Sequence, residues 1–139
     1  MILSLLGSGE TKDYCAKFLE EHNLMKYVEW PSEVCHNKLP EYYNTLDLFV
    51  LPSVYEGFGC VYTEAYACGV PFMGVYEQGA SEIIVPNERY KWLIQPHDYE
   101  SLASKIENYY NERYEQKLCQ PYDINELVQE FLQKIENNI

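Results

Sequence analysis

A run of four consecutive apolar residues, Leu48-Phe49-Val50-Leu51, constrains the fold most strongly. A strand buried on both faces shows such a continuous run, whereas a half-exposed strand alternates apolar and polar residues. Stretches with helical spacing precede and follow the run. Because strands that alternate with helices favour a mostly parallel sheet covered by helices, the chain is predicted to be an α/β protein.

The same patterns place the other elements. Strands are predicted at residues 2–6, 26–30, 48–51, 72–75 and 92–94. Helices are predicted at residues 11–22, 40–43, 61–68, 81–84, 99–115 and 124–137. The sequence contains no internal repeat and no linker, and 139 residues suit one domain of ordinary size. Residues 1–139 are therefore predicted to form a single domain.

The charge of the chain excludes some classes of partner. The formal net charge is −12, and the ten Lys and Arg residues are scattered. A protein that binds nucleic acid needs clustered positive charge, so no nucleic-acid partner is predicted. The apolar runs are short and interrupted, so no membrane span is predicted either.

The cysteines indicate a reducing compartment. They are Cys15, Cys35, Cys60, Cys68 and Cys119. Their number is odd and no pair has the spacing of a zinc site, so neither a disulfide framework nor a metal centre is predicted. Cys60 and Cys68 lie in an apolar stretch and are predicted to be small core residues. A cytoplasmic location fits these observations.

The segment after the third strand carries the candidate chemistry. It reads Glu56-Gly-Phe-Gly-Cys-Val-Tyr-Thr-Glu64, and ligands of parallel α/β sheets bind beyond the carboxyl ends of the strands. Two glycines let the backbone approach a ligand, and the amides that begin the following helix favour phosphate oxygens. Glu56 and Glu64 can accept hydrogen bonds from paired sugar hydroxyls. Spacing alone leaves a tight turn with two solvated glutamates as the alternative.

This segment resembles the signature of a known family. Leu51-Pro-Ser-Val-Tyr-Glu-Gly-Phe-Gly followed by Thr63-Glu-Ala-Tyr-Ala-Cys-Gly-Val-Pro is similar to that of the family 4 (group 1) glycosyltransferases, whose hallmark is two glutamates separated by seven residues. Gln78-Gly-Ala-Ser-Glu-Ile resembles the glycine-rich turn of the family. The resemblance covers almost the whole chain.

The resemblance implies a fold and a function. The family has two Rossmann-like domains around a cleft, the GT-B fold, and this chain resembles the C-terminal domain, which holds the nucleotide-sugar donor. The implied reaction transfers a sugar with retention, without a cofactor or a bound metal. Cell-surface polysaccharide or lipid-linked glycan assembly is the usual setting of the family.

The resemblance also implies roles for individual residues. Glu64 would hold the donor ribose, and Glu56 would lie near the donor sugar as the catalytic residue. The remaining implied donor-binding residues are Gly57, Phe58, Gly59, Cys60, Val61 and Glu82. Amides at Phe58 and Gly59 would face the sugar and those near Cys60 and Val61 the diphosphate, while the base would lie near the loop after residues 28–30.

One part of the family pattern has no counterpart here. Family members place another strand, and a loop with an Arg and a Lys-Gly pair, ahead of the strand that matches residues 2–6. In this chain no Lys or Arg lies between Lys38 and Arg89. The missing strand is the central one of the usual sheet, so the flanking strands 2–6 and 48–51 would close up, take a strand from a partner, or belong to a fragment of a longer polypeptide. A fragment or split-gene product is predicted.

The sequence also allows other functions. The chain is alternatively a non-catalytic nucleotide-sugar-binding remnant or subunit that needs a separate acceptor-domain partner. A third possibility is a sugar-nucleotide epimerase or a phosphorylase, although no lysine lies in a sequence context typical of a pyridoxal-binding lysine. Of the tyrosines near the signature, Tyr55 has the best claim to face the cleft, and Tyr62 is predicted to pack or to lie half-exposed.

Overall fold

A computed structural model describes residues 1–31, 33–119 and Gln133. The chain divides by its contacts into two compact units, Met1–Leu46 and Asp47–Ile139. The first holds a two-stranded parallel sheet of β1 (Leu3–Ser4) and β2 (Val28–Glu29). The second holds a three-stranded parallel sheet in the order β3 (Phe49–Val50), β4 (Phe72–Val75), β5 (Leu93–Ile94).

Helices accompany both sheets. They are α1 (Lys12–Glu21), α2 (Leu39–Tyr43), α3 (Cys60–Ala67), α4 (Gly79–Ile83), α5 (Arg89–Trp92) and α6 (Tyr99–Glu112). In the part of the chain that the structure describes, short 3₁₀ turns span Met25–Tyr27, His36–Lys38 and Pro86–Glu88. The predicted α/β class with parallel strands is confirmed, whereas the single domain 1–139 and the absent central strand stay predictions. The predicted helix 124–137 lies outside the described residues except for Gln133, which is helical.

The structure corrects two of the predicted strands. Residues 25–27 form a 3₁₀ turn, so the strand predicted at 26–30 pairs only over Val28–Glu29. Trp92, predicted to begin the last strand, is the last residue of α5, a helix that the sequence analysis did not predict. Pro86 at the start of the preceding turn presets a helical φ angle, and the chain continues directly from that turn into α5.

A few polar contacts stabilise the first unit in addition to the pairing of the parallel strands β1 and β2. The Leu5 amide donates to the Glu29 carbonyl at 2.8 Å, and Trp30 Nε1 donates to the Gly7 carbonyl at 3.1 Å. The Ser4 and Tyr42 hydroxyl oxygens lie 2.9 Å apart.

A helix that could span a membrane would have to be long and apolar, and residues 1–31 and 33–119 contain none of this kind.

The core of the second unit lies around β4. All four residues of this strand are buried, as expected for a central parallel strand. The largest fully buried side chains of the unit are Trp92, Tyr62, Phe72, Met73, Ile83 and Ile84. Because β4 lies between two strands and contributes Phe72 and Met73 to this core, the loops at its ends are anchored to a buried part of the unit.

The prediction that Cys60 and Cys68 are core residues is wrong. Cys60 is exposed and Cys68 is only half-buried. Helix α3 buries Tyr62 and Ala65, which share one face. Since successive residues of a helix turn by 100°, Cys60 lies about 200° from Tyr62 and therefore faces away from the core.

Helix α6 begins at a side-chain cap that gives a first testable prediction. Asp98 Oδ1 accepts a hydrogen bond from the Ser101 amide at 3.0 Å. Replacing Asp98 by alanine is expected to lower the free energy of unfolding by about 1 kcal/mol, because one amide of the first turn loses its partner. Urea unfolding measures the change. Asn111→Ala, at an exposed position late in the same helix, is the control and should cause no loss; equal losses in both variants would contradict the cap.

Candidate functional site

Two loops at the carboxyl ends of adjacent strands meet and form the candidate site. The glycine loop (residues 52–59) follows β3 and leads into α3, and the second loop (residues 76–78) follows β4 and leads into α4. The Glu56 amide donates to Oε1 of Gln78 at 2.9 Å. This hydrogen bond ties the first predicted site residue to the start of α4.

The backbones of the two segments are in direct contact at Gly79. A Cβ atom added there would lie 2.5 Å from the Gly57 carbonyl oxygen and closer still to the Phe58 carbonyl oxygen. Both distances are shorter than any real Cβ contact. Only glycine therefore allows α4 to start against the glycine loop.

The glycine loop ends in a left-handed turn that begins α3. Gly59 is the N-cap residue, with φ of 69° and ψ of 64°, a conformation that suits glycine. The Tyr62 amide donates to the Gly59 carbonyl at 3.0 Å. Helix geometry leaves the first amides of α3, at Cys60 and Val61, without a partner inside the helix. They lie at the N-terminal end of the helix, where the helix dipole favours an anion.

Tyr62 lies beneath this turn. Its side chain is fully buried and its hydroxyl donates to the Leu51 carbonyl at 2.9 Å. A Cβ atom on Gly59 would lie 2.7 Å from the ring and 3.6 Å from Oε2 of Glu56. Burial, and to a smaller extent the negative charge of Glu56, raises the pKa of Tyr62 to about 12. The phenol is therefore a neutral hydrogen-bond donor at physiological pH.

The predicted site residues lie along these segments. Glu56, Gly59, Val61 and Glu64 are half-buried, and Gly57, Phe58, Cys60 and Glu82 are exposed. The contacts bring Glu56 together with Gln78 through its amide and with Gly59 through its carboxylate. Glu64 lies on the helix that Gly59 begins and Glu82 on the helix that follows Gln78. Tyr55 is 96% exposed. The individual roles of these residues stay predictions.

Sequence reasoning missed the two residues that support the glycine loop. Gln78 belongs to a motif that resembles the family's but has no predicted role, and Tyr62 is predicted to pack or to lie half-exposed. The available signal for the first was Gly79, which directly follows a loop after a buried strand and so indicates a close backbone approach. Nothing in the sequence indicates which acceptor a buried tyrosine hydroxyl contacts.

The arrangement has the groups to bind a polyhydroxylated anion. Carboxylates can accept hydrogen bonds from hydroxyl groups, and the amides at the start of α3 can bind phosphate oxygens. Residues 39–88 contain no Lys or Arg, so the two loops and both helices add no positive side chain. Among the residues that the structure describes, no three His, Cys, Asp or Glu side chains lie close enough to hold a metal ion.

Comparison with known proteins gives a consistent result. The family model described as glycosyl transferases group 1 matches residues 1–132. The capsular polysaccharide biosynthesis glycosyltransferase CapM of Staphylococcus aureus is 29% identical over 113 residues, which cover 79% of this chain and 28% of the relative. The chain thus spans about a quarter of the length of this relative.

Solved structures show the same likeness. Sucrose-phosphate synthase from Thermosynechococcus elongatus matches 79% of this chain and 29% of its own, with 30% identity and a TM-score of 0.69. The Anabaena protein HepE, solved in complex with UDP-glucose, matches 81% of this chain and 32% of its own, with a TM-score of 0.67. At 24% identity the second match supports the fold alone.

Proposed function

The chain belongs to the group 1 glycosyltransferases, and from this premise we propose that it is the part of such an enzyme that binds the nucleotide-sugar donor. The observation that carries the proposal is the contact between the two loops, which holds Glu56 beside the start of α3. That arrangement places a carboxylate next to amides that favour a diphosphate. HepE, a protein of similar fold, was solved with UDP-glucose, which supports a nucleotide-sugar ligand.

The proposed roles of the individual residues follow from the chemistry of the donor. Glu64 binds the ribose hydroxyls, Glu56 contacts the donor sugar, and the first amides of α3 bind the diphosphate. A carboxylate accepts two hydroxyl hydrogen bonds at once, which suits a vicinal diol. The proposed transfer proceeds with retention and without a metal or other cofactor. Glu82, which is exposed on α4, is assigned to the edge of the same site.

The diphosphate that leaves during transfer needs positive charge close to it. Negative charge develops on its oxygens, and preorganised cations or amide donors are what stabilise it. Since residues 39–88 contain no Lys or Arg, the proposal assigns this task to groups outside that range. The acceptor-binding part of the enzyme is likewise assigned to a separate segment or partner protein.

Donor binding is tested with the 139-residue chain by calorimetry against UDP, GDP, ADP and UDP-glucose. Binding of one nucleoside diphosphate is expected, and Glu64→Gln should weaken it roughly tenfold or more, because a hydrogen bond to a charged group contributes about 1.5–3 kcal/mol. Glu107→Gln, at an exposed position of α6, is the matched control and should leave the affinity unchanged. A folded wild-type chain that binds none of these ligands would reject the proposal.

A second candidate is a donor-binding subunit without catalytic activity of its own. The absence of Lys and Arg from residues 39–88 favours it. Under this alternative, the chain alone transfers no sugar but gains activity when a separate acceptor-domain protein is added. Sugar transfer by the isolated chain would exclude it. Family membership favours either candidate over an epimerase or a phosphorylase.

The proposal includes a cytoplasmic location. Cys15, Cys35, Cys60, Cys68 and Cys119 are all free thiols, which fits a reducing compartment. The commonest setting implied by the family, assembly of a cell-surface polysaccharide or a lipid-linked glycan, is the proposed pathway class.

A further inference from the structure

We infer that Tyr62 is a positioning residue for donor binding, one that sets the conformation of the glycine loop without touching the ligand. The inference rests on the proposed function and adds a residue to it. Its basis is that Tyr62 contacts both ends of the glycine loop, which begins directly after Leu51 and ends at Gly59.

The hydroxyl group holds the first end. It donates to the Leu51 carbonyl at 2.9 Å, at the point where the chain leaves β3. Leu51 directly follows the paired residues Phe49 and Val50, and its amide donates to the Met73 carbonyl of β4 at 3.0 Å. The tyrosine therefore adds a second anchor at the last residue before the glycine loop. A phenol that stays neutral, as the raised pKa of Tyr62 requires, keeps this donor at all physiological pH values.

The ring supports the second end. Cδ2 and Cε2 both lie 2.7 Å from the place of a Cβ on Gly59, so the left-handed turn rests on the ring. Oε2 of Glu56 lies 3.6 Å from the same place. The turn, the ring and the predicted catalytic carboxylate are therefore neighbours, and a displaced ring displaces both of the others.

The sheet prevents the ring from moving away. A Cβ on Gly74, in β4, would lie 3.1 Å from the Tyr62 hydroxyl and 3.3 Å from Cζ. Glycine at this position lets the phenol lie against the strand backbone. Because β4 and the glycine loop hold the ring from two sides, its position is fixed. The fixed ring in turn sets the distance between Leu51 and Gly59.

The test compares two tyrosines on the same helix. Tyr62→Phe removes the hydroxyl that donates to Leu51 and keeps the ring. Tyr66→Phe is the control, because Tyr66 is one turn further along α3 and its hydroxyl donates to the Gln116 carbonyl, at 3.3 Å and away from the loop. Calorimetry with UDP measures binding, thermal melting checks the fold, and amide NMR spectra of the ligand-free chain report the loop directly.

A positioning role predicts different results for the two variants. Tyr62→Phe should weaken UDP binding about fivefold to tenfold, roughly the effect of one hydrogen bond, and shift the Glu56 and Gly59 amide signals. Tyr66→Phe should melt at a lower temperature with unchanged affinity and unchanged loop signals. Gly59→Ala, which presses on the same ring from the loop side, should also shift the Glu56 amide.

Two outcomes would overturn the inference. One is a folded Tyr62→Phe chain with wild-type affinity and wild-type loop signals, and the other is equal loss of affinity in both tyrosine variants. If the wild-type chain binds none of UDP, GDP, ADP and UDP-glucose, the proposed function fails instead. The loop signals of the ligand-free Tyr62→Phe and Gly59→Ala chains still decide whether Tyr62 holds the loop.

Discussion

Replacing Gly79 by alanine is expected to destabilise the second unit by about 3 kcal/mol and to abolish donor binding. The added methyl group would overlap the carbonyl oxygens of Gly57 and Phe58. These are backbone atoms, so no side-chain rotation relieves the overlap, and the glycine loop or α4 has to shift. Overpacking in a well-packed region costs about 1–3 kcal/mol, and a rigid neighbour places this case at the upper end.

Urea unfolding and UDP calorimetry measure the two effects of Gly79→Ala. Gly57→Ala is the stability control, because a Cβ at Gly57 meets nothing within 4 Å although the residue lies in the loop that Gly79 contacts. We expect it to change the free energy of unfolding by less than about 1 kcal/mol. If Gly79→Ala were as stable as the wild type and bound UDP equally well, the close contact of the two backbones would be wrong.

The sequence predicts much of this region because local rules agree with the fold there. The apolar run at residues 48–51 contains β3, although the strand covers only Phe49–Val50 and is half-buried rather than buried. The stretch Phe72–Val75 is a fully buried parallel strand, and the glycines after β3 do lead into a helix. The helix begins one residue earlier than predicted, at Cys60. In each case the information lies within a few neighbouring residues.

The sequence fails where the deciding partner is distant along the chain. Nothing near Tyr62 indicates that its hydroxyl donates to the carbonyl of Leu51, 11 residues earlier in the chain. Likewise Gln78, whose side chain accepts a hydrogen bond from the Glu56 amide, lies 22 residues away from it along the chain. Cys60 was misplaced for a related reason: an apolar stretch suggests burial, but the face of a short helix that packs on the sheet depends on tertiary contacts.

The segment after α6 shows the same limit more strongly. Gln116 is 97% buried, although glutamine is mostly an exposed residue type. Its side chain accepts from the Phe72 amide at 3.0 Å and donates to the Phe72 carbonyl at 2.8 Å. Since β5 pairs with β4 only from Gly74 onward, the glutamine side chain takes the place of a strand residue beside Phe72. The two residues are 44 positions apart.

Gln116→Ala is therefore expected to lower the free energy of unfolding by about 4 kcal/mol. The substitution leaves a buried amide and a buried carbonyl without partners, and each such group costs about 1–3 kcal/mol. Urea unfolding measures the loss. Gln95→Ala is the matched control because Gln95 is exposed, and it should be neutral within about 0.5 kcal/mol. A loss below 1 kcal/mol in Gln116→Ala would mean that water satisfies both groups of Phe72.

Gln116→Glu separates the acceptor from the donor. An ionised carboxylate keeps the bond from the Phe72 amide but faces the Phe72 carbonyl with a second acceptor, whereas a neutral carboxyl group can serve both. Burial favours the neutral form, so the folded state binds a proton more tightly than the unfolded state. The stability of this variant relative to the wild type should therefore rise as the pH falls and be lost as the pH increases. Gln116→Ala has no group to protonate at this position, so its loss of unfolding free energy relative to the wild type should not depend on pH. Unfolding measured over the same pH range for both variants tests whether the paired hydrogen bonds at Phe72 stabilise the sheet.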